Sequence, residues 1–147
     1  MNKGFTLIEL VITIALVVLL STIGMLSLVN FRVNQSLRLA SGNLVTFLRD
    51  AQQKSISQEG GLQWGARFTH QAAGDRYELI SGTSTFDPAG TVVSLPSNLE
   101  FASAYGDVTF NKFGLPASPT TLILRVKSDT SLLRTITINA QGIIQEQ

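Results

Sequence analysis

The sequence predicts an α+β protein. A long N-terminal α-helix, transmembrane in its first half and amphipathic in its second, packs on a small C-terminal antiparallel β-sheet head. Three observations predict it. Leu10–Val29 holds no charged residue, no histidine and no proline. Apolar residues then recur at steps of three and four from Val33 to Ala51. After Gly61 the pattern changes to alternation. These are the periods of a helix buried all round, a helix buried on one face, and half-buried strands.

The first four residues, Met1-Asn2-Lys3-Gly4, are short and positive. They are read as a leader, residues 1–4. Residues 5–29 follow as a membrane or filament-core helix. The twenty residues Leu10–Val29 cover roughly 30 Å at about 1.5 Å each, the thickness of a bilayer's hydrocarbon core. Within Phe5–Val29 the sole charge is Glu9. A carboxylate in hydrocarbon costs on the order of 2.5–3.5 kcal/mol at a helix centre and less near an end. Glu9 is therefore a functional candidate that needs a cationic partner. A chain cut after Gly4 would supply one, because Phe5 would then expose an α-amino group. Within one chain the contact is local; between packed chains Glu9 neutralises the amine of a neighbour. A cleaved secretory signal is a poor alternative, because its apolar region is about 7–15 residues and its cleavage site follows that region. A plain anchor leaves Glu9 without a purpose. Lys3 precedes the run and Arg32 and Arg38 follow it, so charge alone leaves the orientation open.

Residues 30–59 continue the helix. No proline interrupts Asn30–Gln58, and Val33, Leu37, Ala40, Leu44, Leu48 and Ala51 lie on one face. Gly42 costs this helix roughly 1 kcal/mol relative to alanine. Gly60-Gly61 is the stop signal, so the helix is expected to end near Ser57.

Residues 60–147 form the head. Strands are expected at Leu62–His70, Arg76–Ser81, Thr91–Leu95, Leu99–Ala102, Asp107–Asn111, Thr121–Lys127 and Arg134–Ala140. Trp64, Ala66 and Phe68 share one face of the first, Arg67 and Thr69 the other. Asp87-Pro88-Ala89-Gly90 and Gly114-Leu115-Pro116 read as turns. Ser128–Leu133 joins the last two strands as a hairpin. No repeat is evident.

Lys3-Gly4-Phe5-Thr6-Leu7-Ile8-Glu9, followed by the apolar run, resembles the N-terminal motif of the type IV pilin and pseudopilin superfamily. The resemblance implies that a prepilin peptidase cuts between Gly4 and Phe5, that the Phe5 amine is methylated, and that Glu9 guides subunits into a filament. It implies a cytoplasmic leader, a single pass through the inner membrane and a periplasmic head. The implied partners are the peptidase, other pilin or pseudopilin subunits, the inner-membrane assembly platform and membrane lipid. A second resemblance lies in the head. Gln63–Phe68, Val108–Gly114 and Arg134–Gly142 look like the GspH/FimT-type domain of minor pseudopilins and minor pilins. Together they imply a subunit that assembles into, primes or caps a type II secretion pseudopilus or a type IV pilus. The chain departs from the family in two ways. Leu26 stands where a helix proline is frequent, which fits a minor subunit, and there is no cysteine where a disulfide is common.

No catalytic constellation is visible, and no enzyme activity, cofactor or metal is expected. Without cysteine, thiol catalysis and Cys-based zinc sites are excluded. His70, the one histidine, reads as a solvated loop residue, and Trp64 as a core or helix-packing aromatic. The head carries six basic side chains (Arg67, Arg76, Lys112, Arg125, Lys127, Arg134). It carries seven acidic ones (Asp75, Glu78, Asp87, Glu100, Asp107, Asp129, Glu146). Near neutrality gives no strong case for a polyanion partner. The competing function is a DNA-binding minor pilin for DNA uptake, with Arg125, Lys127 and Arg134 meeting the phosphate backbone. The ordinary reading of those cations is a solvated edge hairpin. The C-terminal Ile143–Gln147 holds no basic residue, unlike the basic C-terminal region through which some such pilins bind DNA.

Overall fold

The computed structural model of the chain describes residues 6–71 and 74–147, with the side chains of residues 22–27, 29 and 30 left out. The helix α1 runs Leu7–Ile56. A 3-10 turn at Glu59–Gly61 follows. The strands are β1 (Gln63–Thr69), β2 (Arg76–Gly82), β3 (Phe86–Ser94), β4 (Leu99–Phe101), β5 (Val108–Phe110), β6 (Thr120–Val126), β7 (Asp129–Ile138) and β8 (Ile144–Glu146). The chain forms two compact units, Met1–Asn34 and Gln35–Gln147.

In the first unit α1 is apolar on every side from Leu16 to Leu20. Leu16, Val17, Val18, Leu19 and Leu20 are consecutive, which carries them around the whole helix, and each is more than half exposed. Two of its hydroxyls bond back to the helix: Thr13 Oγ1 donates to Leu10 O at 2.8 Å and Ser21 Oγ to Val17 O at 2.7 Å. Such back-bonding pairs these two hydroxyl donors within the helix. Among the described residues no helix is long and apolar enough to cross a membrane. The contiguous part with described side chains, residues 7–21, covers about 22 Å at 1.5 Å per residue, short of the roughly 30 Å needed. The structure thus shows a helix where the sequence predicts a membrane span, and the span remains a reading of the sequence.

In the second unit the expected helix face is the buried one. Leu37, Ala40, Leu44, Leu48 and Ala51 are all buried, joined by Val45, Phe47, Ser41 and Ser55. Val33, at the head of the expected series, belongs to the first unit and is half-buried. α1 ends one residue before Ser57, and Gln58 turns left-handed at φ 51.

The head is two antiparallel four-stranded sheets, ordered β3-β2-β1-β5 and β4-β6-β7-β8, where the sequence suggested one sheet. β5 pairs back onto β1, and the strand after it crosses to join β4. Alternation within strands is the same for one sheet or two, so the sequence pattern does not separate them. β1 alternates as expected, with Trp64, Ala66 and Phe68 buried and Arg67 and Thr69 half-exposed. β3 begins at Phe86 and incorporates the Asp87–Gly90 stretch expected to turn. β3 is an edge strand, where a proline's missing N–H is tolerated. β7 begins at Asp129, so the hairpin turn is only Lys127-Ser128 and most of the expected joining segment is strand. β8 was not expected; three residues are too few to show a period.

The core lies between the helix and the two sheets. Leu44, Leu48, Ile80, Phe110, Leu122, Leu124, Val126 and Ile136 are fully buried. Phe47 on α1 meets Tyr77 on β2 edge-on at 4.8 Å. Burial raises the Tyr77 hydroxyl above the ordinary tyrosine pKa. Phe68 of the first sheet meets Phe101 of the second edge-on at 5.4 Å. Ser55 Oγ, buried on α1, accepts the Trp64 N–H at 2.6 Å and donates to Phe110 O at 3.0 Å, tying the helix to the paired strands β1 and β5.

Two turns of the same build fix the helix to both sheets. In Asn111-Lys112-Phe113-Gly114, Asn111 Oδ1 accepts the N–H groups of Phe113 and Leu115 at 2.9 and 3.1 Å. In Asn139-Ala140-Gln141-Gly142, Asn139 Oδ1 accepts those of Gln141 and Ile143 at 3.0 and 2.9 Å. Each turn ends on a glycine at positive φ, 75° and 77°. Gln52 Nε2 donates to both glycine carbonyls at 2.7 Å. The pattern Asn-x-x-Gly followed by leucine or isoleucine is a short internal repeat that periodicity does not detect.

Candidate functional site

The helix start is the first candidate. Gly4 and Phe5, the expected cleavage pair and methylation site, lie outside the described residues. Glu9 lies in the first turn of α1 and is exposed. Its backbone N–H donates to Thr6 Oγ1 at 3.3 Å, and the Leu10 N–H donates to Thr6 O at 3.2 Å. Thr6 is therefore the helix N-cap, and Thr6-Leu7-Ile8-Glu9 has the Thr-x-x-Glu spacing of a capping box. The sequence reading missed this role, although the spacing was legible. A carboxylate in the first turn is also favoured by the helix dipole, by about 0.3–1 kcal/mol. The geometry leaves the Glu9 side chain exposed on an apolar helix, available to a cation brought by another molecule.

The hairpin cations are the second candidate. Arg125 sits opposite Leu133 and Arg134 opposite Leu124 in the β6–β7 register. Cross-strand partners share a face, and Leu124 is fully buried in the core. Arg134 and Arg125 consequently leave the sheet on opposite faces. Arg125 Nε pairs with Glu100 Oε1 at 2.8 Å, directly across the strands. Arg134 reaches toward Glu146 Oε1 at 4.0 Å, and that same oxygen accepts the Ser41 hydroxyl at 2.6 Å. Lys127 is exposed in the turn. The three residues share a hairpin but do not form one basic surface.

Elsewhere the head uses its polar groups internally. Asp75 is 3% exposed. Its carboxylate contacts His70 Nδ1 at 2.9 Å and accepts the N–H groups of Phe101 at 2.6 Å and Gln71 at 3.3 Å. His70 is an exposed loop residue, as expected, with its Nδ1 against the Asp75 carboxylate. Arg67 binds the Asp107 carboxylate through Nε and Nη2, the shortest contact 2.7 Å, and donates to Phe86 O at 3.0 Å. The Asp107 hydrogen bond holds the Arg67 guanidinium above its ordinary pKa against the opposing effect of burial. Trp64 is 9% exposed, with its indole N–H on Glu59 O at 3.0 Å, the packing role expected of it. Among the described residues no group of histidine, cysteine, aspartate and glutamate is placed to hold a metal ion.

Residues 1–25 match the family described as the prokaryotic N-terminal methylation motif. The chain carries the prepilin-type motif. Its fold is similar to solved structures of two proteins. One is the minor pseudopilin EpsH from the type 2 secretion system of Vibrio cholerae, at TM-score 0.61 and 13% identity, covering 76% of this chain and 96% of that one. The other is the type IV minor pilin FimU of Pseudomonas aeruginosa, at TM-score 0.63 and 18% identity, covering 77% of this chain and 89% of that one. No curated protein matches in sequence. The motif agrees with the type IV pilin and pseudopilin resemblance, and the fold is like that of these two proteins.

Proposed function

We propose that this chain is a minor subunit of a type II secretion pseudopilus or a type IV pilus, which joins, primes or caps the filament. In this reading the leader, residues 1–4, stays in the cytoplasm. The apolar helix anchors the head outside the inner membrane until the assembly platform draws it into the filament. Prepilin peptidase cuts between Gly4 and Phe5, and the new amine is methylated.

The observation that carries the reading is the exposed apolar helix surface from Leu7 to Leu20, bearing one carboxylate, Glu9. Leu7 is 80% exposed and Leu20 69%. Such a surface requires lipid or neighbouring helices around it. A lone carboxylate there is stabilised only by a cation, and a neighbour's processed α-amino group, with a pKa near 8, is mostly charged at neutral pH. Intact-mass analysis of membrane-extracted protein from cells with an active prepilin peptidase tests the reading. The expected mass is that of a chain beginning at methylated Phe5. A chain still beginning at Met1 would reject it.

A further inference from the structure

We propose that the free edge of β3 binds an extended peptide segment of a neighbouring subunit, and that one uncharged side chain of that segment sits in the groove between β3 and α1. The proposal rests on the filament reading above and names where on the head a neighbour docks.

β3 is the outer strand of its sheet and pairs with β2 alone. The Leu95 N–H donates to Asp75 O at 2.8 Å. Bonded pairs in an antiparallel ladder recur at every second residue, so Tyr77 and Val93 form the next one. The N–H and C=O groups of Val92 and Ser94 consequently point away from β2, and they have no partner among the described residues. Natural edges carry charges or proline against such pairing. Asp87 and Pro88 guard the first half of β3, whereas Gly90-Thr91-Val92-Val93-Ser94 carries neither.

The groove beside that unguarded half holds about 240 Å³. Ser36, Leu39 and Asn43 of α1 line it together with Tyr77 of β2 and Val93 and Ser94 of β3. Tyr77 is 2% exposed. Its hydroxyl has no hydrogen-bond partner among the described residues, and it is not sealed from solvent. The hydroxyl therefore opens onto the groove and lacks an acceptor. The Ser36 and Asn43 side chains are likewise without partners among the described residues, and Leu39 is 60% exposed. No lining residue is charged, so an ionic side chain would lose its hydration there without compensation. A neutral hydroxyl or amide side chain supplies the missing acceptor. Only an extended backbone also offers the N–H and C=O groups that the edge lacks, which is how strand addition gives affinity while a side-chain pocket gives specificity.

The test places a photo-cross-linking residue at Leu39 of the full-length chain, in cells that carry the other subunits of its filament. The expected adduct maps by mass spectrometry to one extended segment in the head of another subunit. Val92→Pro removes an outward N–H without breaking a bond to β2, a placement that edge strands tolerate. Tyr77→Phe keeps the ring on Phe47 and removes the hydroxyl. It should lower the adduct yield about fivefold, the factor that about 1 kcal/mol of hydrogen bond makes at 1.4 kcal/mol per tenfold. Val92→Pro should lower it at least as much, and Val92→Thr, which keeps the N–H, should not. Wild-type yield from Tyr77→Phe or from a folded Val92→Pro overturns the proposal, and so does an adduct with lipid or with a neighbour's helix. Should Val92→Pro fail to fold, Tyr77→Phe decides alone. A second probe at Leu16 separates the two readings. Subunit adducts at Leu16 without any at Leu39 overturn the β3 site alone, whereas none at either position overturns the filament reading and the site with it.

Discussion

A side chain on Gly142 would run into the carbonyl oxygen of Gly114. The two turns that end β5 and β7 are stacked glycine on glycine, and Gln52 closes the stack from the helix at 2.7 Å to each carbonyl. Gly142 has φ 77°, so an added Cβ meets both an unfavourable backbone region and the neighbouring turn. The stack joins the helix to the end of each sheet.

Gly142→Ala is therefore expected to destabilise the head by more than the roughly 1–2 kcal/mol of the left-handed conformation alone. Gln52→Ala leaves two glycine carbonyls without their donor and should cost about 1–3 kcal/mol. Gln52→Glu should cost more than Gln52→Ala, because a carboxylate would face two carbonyl oxygens. Urea unfolding of a fragment covering residues 35–147 measures all three. Equal stability of the alanine and glutamate variants would reject the clamp.

Asp75 is expected to matter more than its exposed partner His70. Asp75→Ala strands the Phe101 N–H between the sheets and should cost about 1–3 kcal/mol. His70→Ala should cost less than about 1 kcal/mol, since the ring is 43% exposed. Urea midpoints of the two variants, compared at constant slope, give the order. The reverse order would show that the link between the loop and β4 does not depend on the carboxylate.

The β6–β7 turn should respond to acid at Asp129. Ser131 donates its hydroxyl at 2.6 Å and its N–H at 3.1 Å to Asp129 Oδ1. These bonds lower the Asp129 pKa from 3.8. A lowered folded pKa means that the stabilisation is present above the unfolded value near pH 4 and is lost as pH falls through the folded value. Carboxyl NMR titration should show Asp129 ionising below pH 3.8. Ser131→Ala removes the hydroxyl donor and keeps the N–H, so it should move the value part of the way back toward the ordinary one. An unchanged titration in that variant would remove the Ser131 hydroxyl as the cause.

Glu9 should act in assembly and not in folding of the head. Glu9→Gln keeps shape and polarity without charge, and Glu9→Leu removes both. Both variants should insert, be cleaved and hold a folded head, yet cross-link poorly to neighbouring subunits. Glu9→Asp should be intermediate, because its shorter side chain retracts the carboxylate. Wild-type cross-links and filament output from Glu9→Leu would reject the amine partnership.

DNA retention by the head should be weak and absent at physiological salt. Arg125 is paired to Glu100, and Arg134 leaves the opposite face of the sheet. Lys127 is left as one exposed cation of that trio, and one phosphate contact gives little affinity. Retention on immobilised duplex that falls steeply between 50 and 200 mM salt, as roughly expected for several phosphate contacts, would revive the DNA-uptake reading. Lys127→Glu should then abolish it.

The sequence by itself determined the helix, its buried face and its end, because a period of 3.6 is local and the stop at Gly60-Gly61 is chemical. It determined the faces of β1 and the strand character of β6 and β7 for the same reason. It also held the Thr6-x-x-Glu9 cap and the paired Asn-x-x-Gly turns, each a short spacing that apolar periodicity passes over. Only the tertiary structure decided that the strands form two sheets, because alternation specifies a face and not a neighbour. Only tertiary structure separated Arg125 from Arg134, because that depends on strand register. It alone gave Asp75 its partners, His70 five residues away and Phe101 twenty-six away. Long-range pairing is fixed by how buried polar groups find donors and acceptors across the core, and no local pattern in the chain records it.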